Sequence, residues 1–140
     1  MVAYSNKTLS EKLGIKEDMR VRIVNPPANY SHCLGILPHG VALSDGRETS
    51  IDLIHFFAVK RDDLRRRFPS LKKKLSQSGA LWISWPKRSS NFSTNLNQNL
   101  VRDIGLEYGM VDVKVCAVNE DWSALKFVYR AKDRKEPKAK

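Results

Sequence analysis

The residues best suited to chemistry stand in "SWPKRSS", positions 84–90. An apolar and aromatic run from Ala80 to Trp85 meets Pro86, and Lys87, Arg88 and Ser89 follow at once. Proline has no N–H to give a sheet ladder, so it ends the strand there. Two cations, a hydroxyl and the start of the next helix then fall together, a composition suited to holding an anion. In open parallel sheets, ligands sit outside the carboxyl ends of the strands. Asn25, closing "MRVRIVN", and Trp122, in "NEDWS", are expected on that same edge. The expected ligand-binding set is therefore Asn25, Trp85, Lys87, Arg88, Ser89 and Trp122. Cations and backbone donors would hold an anionic ligand or partner, and an indole would supply a flat wall. The competing assignment puts both tryptophans in the core and leaves the cations to solvate a loop.

No set of side chains points to catalysis. His32, His39 and His55 are scattered, and His55 lies in the apolar run "IDLIHFFAV", where a hydrogen-bonded core histidine is the expectation. Cys33 adjoins His32, but neighbours on a helix diverge by about 100° and make a poor nucleophile–base pair. Cys116 reads as a small buried hydrophobe. Two cysteines make neither a metal-ligand spacing nor a disulfide framework, and fit reduced thiols. No catalytic residue, metal ligand or cofactor is expected.

The net charge of +10 is regional. Residues 60–74, "KRDDLRRRFPSLKKK", carry eight cations against two anions. Residues 130–140 carry six against two. On the first segment Leu64, Phe68, Leu71 and Leu75 form one apolar stripe, so the cations fall on the polar side of a helix. Arg65, Arg66, Lys72 and Lys73 are thus a candidate nucleic-acid surface, binding weakly and without sequence preference. The plainer assignment is a solvated face, since no recognised nucleic-acid motif accompanies it.

The elements that must carry these residues alternate. "TLSEKLG" is a short helix with a Thr8–Glu11 capping box and a Gly14 stop. Strands follow at "MRVRIV", "VALS" and "IDLIHFFAV", with "ANYSHCLG" a two-turn helix between the first two. A helix over 61–77, kinked or split at Pro69, leads through "SQSG" to the strand "ALWISWP". A helix from Asn95 to Tyr108, capped by Asn95 with Gln98, precedes a hairpin that adds one antiparallel strand at an edge. This predicts a three-layer α/β fold: a mostly parallel, Rossmann-like sheet with a C-terminal antiparallel hairpin and helices on both faces. One domain over 1–131 and a disordered basic tail over 132–140 are expected. No apolar run nears the roughly 20 residues of a membrane span, and no signal-peptide core opens the chain, so a cytoplasmic protein is expected.

Two resemblances bear on function. "LKKKLSQSGALWISWP" is similar to the helix, turn and strand in the second half of class I methyltransferases, a likeness of topology over about residues 50–130. "KLGIKEDMRV", "ALWISWPK" and "GMVDVKVCAVNEDWSALKFVYR" resemble, in order and spacing, a bacterial family known only as a domain of unknown function. That family implies a Rossmann-like fold and directs attention to Trp85, Pro86, Lys87, Lys114, Cys116 and Trp122. The methyltransferase likeness implies S-adenosylmethionine at a glycine-rich loop after the first strand. Here that turn reads "NPPANYSHCLG", and the glycines at 14, 35, 40, 46, 79, 105 and 109 form no Gly-x-Gly. Asp45 or Glu48 could imitate a ribose-binding acid. "NPPANY" resembles an Asn-Pro-Pro-aromatic motif, with its aromatic residue two positions late. A non-catalytic binding module is therefore the leading expectation, a nucleic-acid-associated protein the second, and a divergent S-adenosylmethionine-dependent methyltransferase the third.

Overall fold

The computed structural model describes residues 7–90 and 92–133. The elements are α1 (Leu9–Leu13), β1 (Arg20–Val24), α2 (Tyr30–Leu34), β2 (Ala42–Leu43), β3 (Ile51–Phe57) and α3 (Arg61–Lys74). They continue with β4 (Leu75–Pro86), α4 (Gln98–Glu107), β5 (Met110–Ala117), β6 (Trp122–Tyr129) and a 3-10 turn at Ala131–Asp133. One six-stranded sheet has the order β2-β1-β3-β4-β6-β5. The first four strands are parallel neighbours, and β6 runs antiparallel to both β4 and β5. The expected α/β Rossmann-like fold is the one observed.

Alternation along the central strands builds two cores. On β3, Leu53 and Phe57 face one side, and Ile54 and Phe56 the other. Leu9 and Leu13 of α1 and Tyr30 and Leu34 of α2 cover the first face, with Trp82 and Trp122. Leu64, Phe68 and Leu71 of α3 and Val101 and Ile104 of α4 cover the second, with Trp85 and Phe127. The Thr8–Glu11 capping box forms as expected, and Gly14 closes α1 at φ 84°. Trp82 Nε1 donates to Leu13 O at 2.9 Å, tying that short helix to the sheet.

Four local expectations are corrected. The antiparallel strand is not at the edge: β6 lies between β4 and β5, because Trp122, Ala124, Leu125 and Phe127 bury residues on both faces. β5, with Val113, Lys114 and Val115 exposed, takes the edge. α3 ends at Lys74 and β4 starts at Leu75, so "SQSG" belongs to the strand, with a register shift opposite Ile51 and Leu53. Pro69 sits inside one helix and does not divide it. Asn97, not Asn95, caps α4, its side chain accepting from Leu100 N at 2.8 Å.

The tail expected to be disordered lies outside the described residues from 134 onward. Lys132 and Asp133 complete the last turn, where Asp133 pairs with Arg130 at 2.9 Å. No helix among the described residues is long and apolar enough to cross a membrane.

Candidate anion-binding site

The end of β4 is held before it turns. Pro86 is buried and pairs with Trp122 as the last rung against β6. Lys87 N then donates to Asp121 O at 2.7 Å, so the hairpin turn fixes where the chain leaves the sheet. Lys87 O accepts from Ser90 N at 3.0 Å and from Ser90 Oγ at 2.8 Å, a tight turn that throws Lys87 and Arg88 outward.

The loop returning to α4 is fixed by two polar side chains. Thr94 Oγ1 donates to Val59 O at 2.5 Å and accepts from Leu96 N at 3.0 Å. Asn95 Oδ1 accepts from Arg61 N at 2.8 Å, satisfying a free amide at the start of α3. Leu96 is plugged into the core beneath them. Between this loop and the β4 turn lies a cavity of about 580 Å³. Trp85 and Pro86 line it from the strand, Lys87 and Arg88 from the turn, Phe92 from the rim, and Asn97 and Gln98 from the start of α4. Neither the Lys87 nor the Arg88 side chain has an ion pair or hydrogen bond among the described residues. Two free cations and a ten-residue helix N-terminus meet in one cavity.

The expected ligand set is thus divided. Trp85, Lys87 and Arg88 line the cavity, and Asn25, Ser89 and Trp122 do not. Asn25 lies on the same carboxyl edge as Lys87, but β3 stands between their strands and its end, Phe57 and Ala58, is buried. Ser89 is exposed on the outside of the turn. Trp122 is 4% exposed, with its ring between Phe57 at 5.0 Å and Phe92 at 5.1 Å. The aromatic surface left open is Phe92, 45% exposed. Phe92 and Thr94 are not singled out in the sequence, and Asn95 is read there only as a helix cap. Their signal was the density of polar side chains in "SSNFSTN" between a buried strand and a helix.

Much of the charge of the basic helix is matched by partners within the chain, with the arginine pairs at its surface. Arg65 pairs with Glu107 through two contacts at 2.8 and 2.9 Å, and Arg66 with Asp63 at 2.6 Å. Lys72 Nζ donates to Tyr108 O at 2.7 Å, and Lys74 to Gly46 O. Lys73 is exposed.

A buried polar chain crosses the first core. His55 Nδ1 meets Tyr30 Oη at 2.9 Å, and its Nε2 meets Ser84 Oγ at 2.6 Å. Serine, histidine and a third group in line have the order of an activated nucleophile. Here Ser84 and His55 are fully buried, so no substrate reaches them. Burial pushes the His55 pKa down to about 3, which keeps the imidazole neutral and each ring nitrogen matched by a hydroxyl.

The β1–α2 turn is where an adenosyl cofactor would be expected to sit. Asn25 has φ 56°, and Pro26 and Pro27 offer no N–H. α2 has only five residues, and the Tyr30 ring packs edge-on against Phe57 at 5.2 Å. Asp45 pairs with Arg47 at 3.5 Å, and Glu48 accepts from Ser44 Oγ at 2.5 Å. Their loop is tied down through Gly46 by Lys74. A turn with two prolines and no glycine, beside acids that already pair within their own loop, does not form the glycine-rich cradle of an adenosyl site.

No protein-family model and no curated protein matches the chain. Solved structures do. The chain is similar to a SAM-dependent methyltransferase from Aquifex aeolicus (TM-score 0.59, 14% identity, 84% of this chain and 85% of that one). It is similar to a TehB-like SAM-dependent methyltransferase from Corynebacterium glutamicum (0.55, 8%, 88% of each chain). A ribosomal protein L11 methylase from Lactobacillus delbrueckii subsp. bulgaricus gives 0.57 and 15%, over 87% and 75%. At these identities the likeness is one of fold. The likeness to the domain of unknown function rests on the quoted residues alone.

Proposed function

We propose that the chain is a binding protein built on a methyltransferase-type fold, and that it holds an anionic group at the β4–α4 junction. Lys87 and Arg88 supply the charge, the first amides of α4 supply donors, and Phe92 offers a ring face to whatever carries the anion. The observation that carries this reading is the pair of unpartnered cations opening on a helix N-terminus. Among the described residues no nucleophile with a matched base lines the cavity, which favours recognition without turnover.

A second reading is a divergent methyltransferase. The fold neighbours favour it over a non-catalytic module, and the β1–α2 turn speaks against it. Calorimetric titration with adenosine 5′-phosphate and with S-adenosylmethionine separates the two. The binding reading expects the phosphate to bind, at least tenfold loss in a Lys87→Ala, Arg88→Ala variant, and S-adenosylmethionine no tighter than about millimolar. Micromolar S-adenosylmethionine binding would put the enzyme reading first.

A further inference from the structure

A second group of cations lies on the opposite core face from the β4–α4 cavity, and at one end, where Lys12 and Lys87 line a further cavity of about 360 Å³, it reaches the β4 turn. A cavity of about 380 Å³ opens beneath α1, between the starts of β3 and β4 and the end of β6. Lys12 of α1, Lys16 after it, Lys114 of β5 and Lys126 of β6 all line it. Its two acids are already engaged. Glu11 accepts from Thr8 N at 2.8 Å in the capping box, and Asp52 accepts from Arg20 N at 2.8 Å. None of the four lysines has an ion pair or side-chain hydrogen bond among the described residues. This is the reverse of α3, whose cations are largely paired or bonded to carbonyls.

Lys114 and Lys126 are moreover direct cross-strand partners. Like charges opposed in an antiparallel pair destabilise it. A β-bulge beside them, between Asp112 and Lys114, keeps this register while the strand bends. Lys12 and Lys114 both act electrostatically on the Cys116 thiol, which places their charges together on one face, although burial has the larger effect and raises that thiol. Cations focused by a concave wall attract a multiply charged anion, and lysine meets phosphate as a point charge.

We propose that this cavity is a polyphosphate site, taking the pyrophosphate portion of a small molecule between Lys12, Lys114 and Lys126. The cavity is concave and of small-molecule size, which favours such a ligand over an extended nucleic-acid strand. The opposed lysines give the test a sign. Removing one relieves repulsion in the free protein and at the same time weakens the site.

The experiment is a thermal melt and a calorimetric titration of the full chain with sodium pyrophosphate. Wild type should melt higher as pyrophosphate is added. Lys126→Gln should melt as high as wild type or higher without ligand, with affinity reduced at least tenfold. Lys114→Gln, at an exposed edge position, should behave alike should Lys126→Gln fail to fold. In a Lys87→Ala, Arg88→Ala background, which removes the β4–α4 site, the pyrophosphate binding that depends on Lys114 and Lys126 should persist, which separates the two sites. An unchanged pyrophosphate affinity in both single variants overturns the proposal. So does tighter binding of a single-stranded oligonucleotide that displaces pyrophosphate and depends on the same lysines, which would make the face a nucleic-acid surface.

Discussion

Asn95 Oδ1 accepts a 2.8 Å hydrogen bond from Arg61 N, joining the loop of the candidate anion site to the start of α3. Lys60, the residue before that helix, makes no side-chain cap, so Asn95 serves as the cap across 34 residues of sequence. Asn95→Ala should cost about 1 kcal/mol of stability, the usual worth of a lost cap. It should also weaken adenosine 5′-phosphate binding, because the loop lining the cavity loses an anchor. Urea denaturation and titration of the same sample check both.

Gly105 is the point where α4 lies against β6. A Cβ there would fall 2.0 Å from the Phe127 ring, which is fully buried. Glycine to alanine in a helix ordinarily gains about 1 kcal/mol. At this position overpacking outweighs that gain, and Gly105→Ala should destabilise by about 1–3 kcal/mol. A melting temperature above wild type would contradict the packing described.

His55 makes stability depend on pH. Its pKa falls from the ordinary 6.5 to about 3 in the folded chain, so between those values the unfolded chain binds the extra proton. Stability is therefore full above about 6.5 and declines as the pH drops, by up to about 1.4 kcal/mol per unit. Melts from pH 7 to pH 4 should show this slope, and His55→Gln should flatten it while lowering stability overall.

Trp85 and Lys87 should separate core from site. Trp85 is 5% exposed and belongs to the core under α3 and α4, so Trp85→Ala should cost about 3 kcal/mol or more. Lys87→Ala removes an unpaired charge and should leave the melting temperature within about two degrees. A large fall for Lys87→Ala would mean that the charge is structural.

Arg65, Arg66 and Lys73 should contribute little to nucleic-acid retention. The Arg65–Glu107 pair is about half exposed and worth at most about 1 kcal/mol. Glutamine at all three positions should leave the fold intact and remove only weak DNA retention that moderate salt also removes. Tight, sequence-dependent binding lost in that variant would establish α3 as a nucleic-acid surface.

Local chemistry made much of this molecule legible before any coordinates. The Thr8–Glu11 box, the Gly14 stop and the Pro86 strand end are each decided by residues a few positions apart and form as read, and the α3 stripe forms at Leu64, Phe68 and Leu71 while Leu75 passes to β4. The alternation of strand and helix likewise fixed a mostly parallel sheet, since parallel neighbours need a crossover between them. The turn at Lys87 and Arg88 is legible for the same reason: a strand-ending proline followed by two cations marks where the chain leaves the sheet without help from elsewhere.

Only the tertiary structure decided which distant residues share a surface. Asn95 caps α3 and not its own helix because Arg61 N, far off in sequence, comes within reach. Trp122 is core because Phe57 and Phe92 close on both sides of it, while its composition alone fitted a binding wall equally well. β6 took the inner position because its buried residues cover two faces and those of β5 do not, a difference visible only once both cores are assembled. Lys114 and Lys126 are twelve residues apart in the chain, and it is the bulged register of the hairpin that sets them face to face. Spacing encodes what a helix turn or a strand end can do by itself, whereas pairing across the sheet depends on every element that must be buried at once.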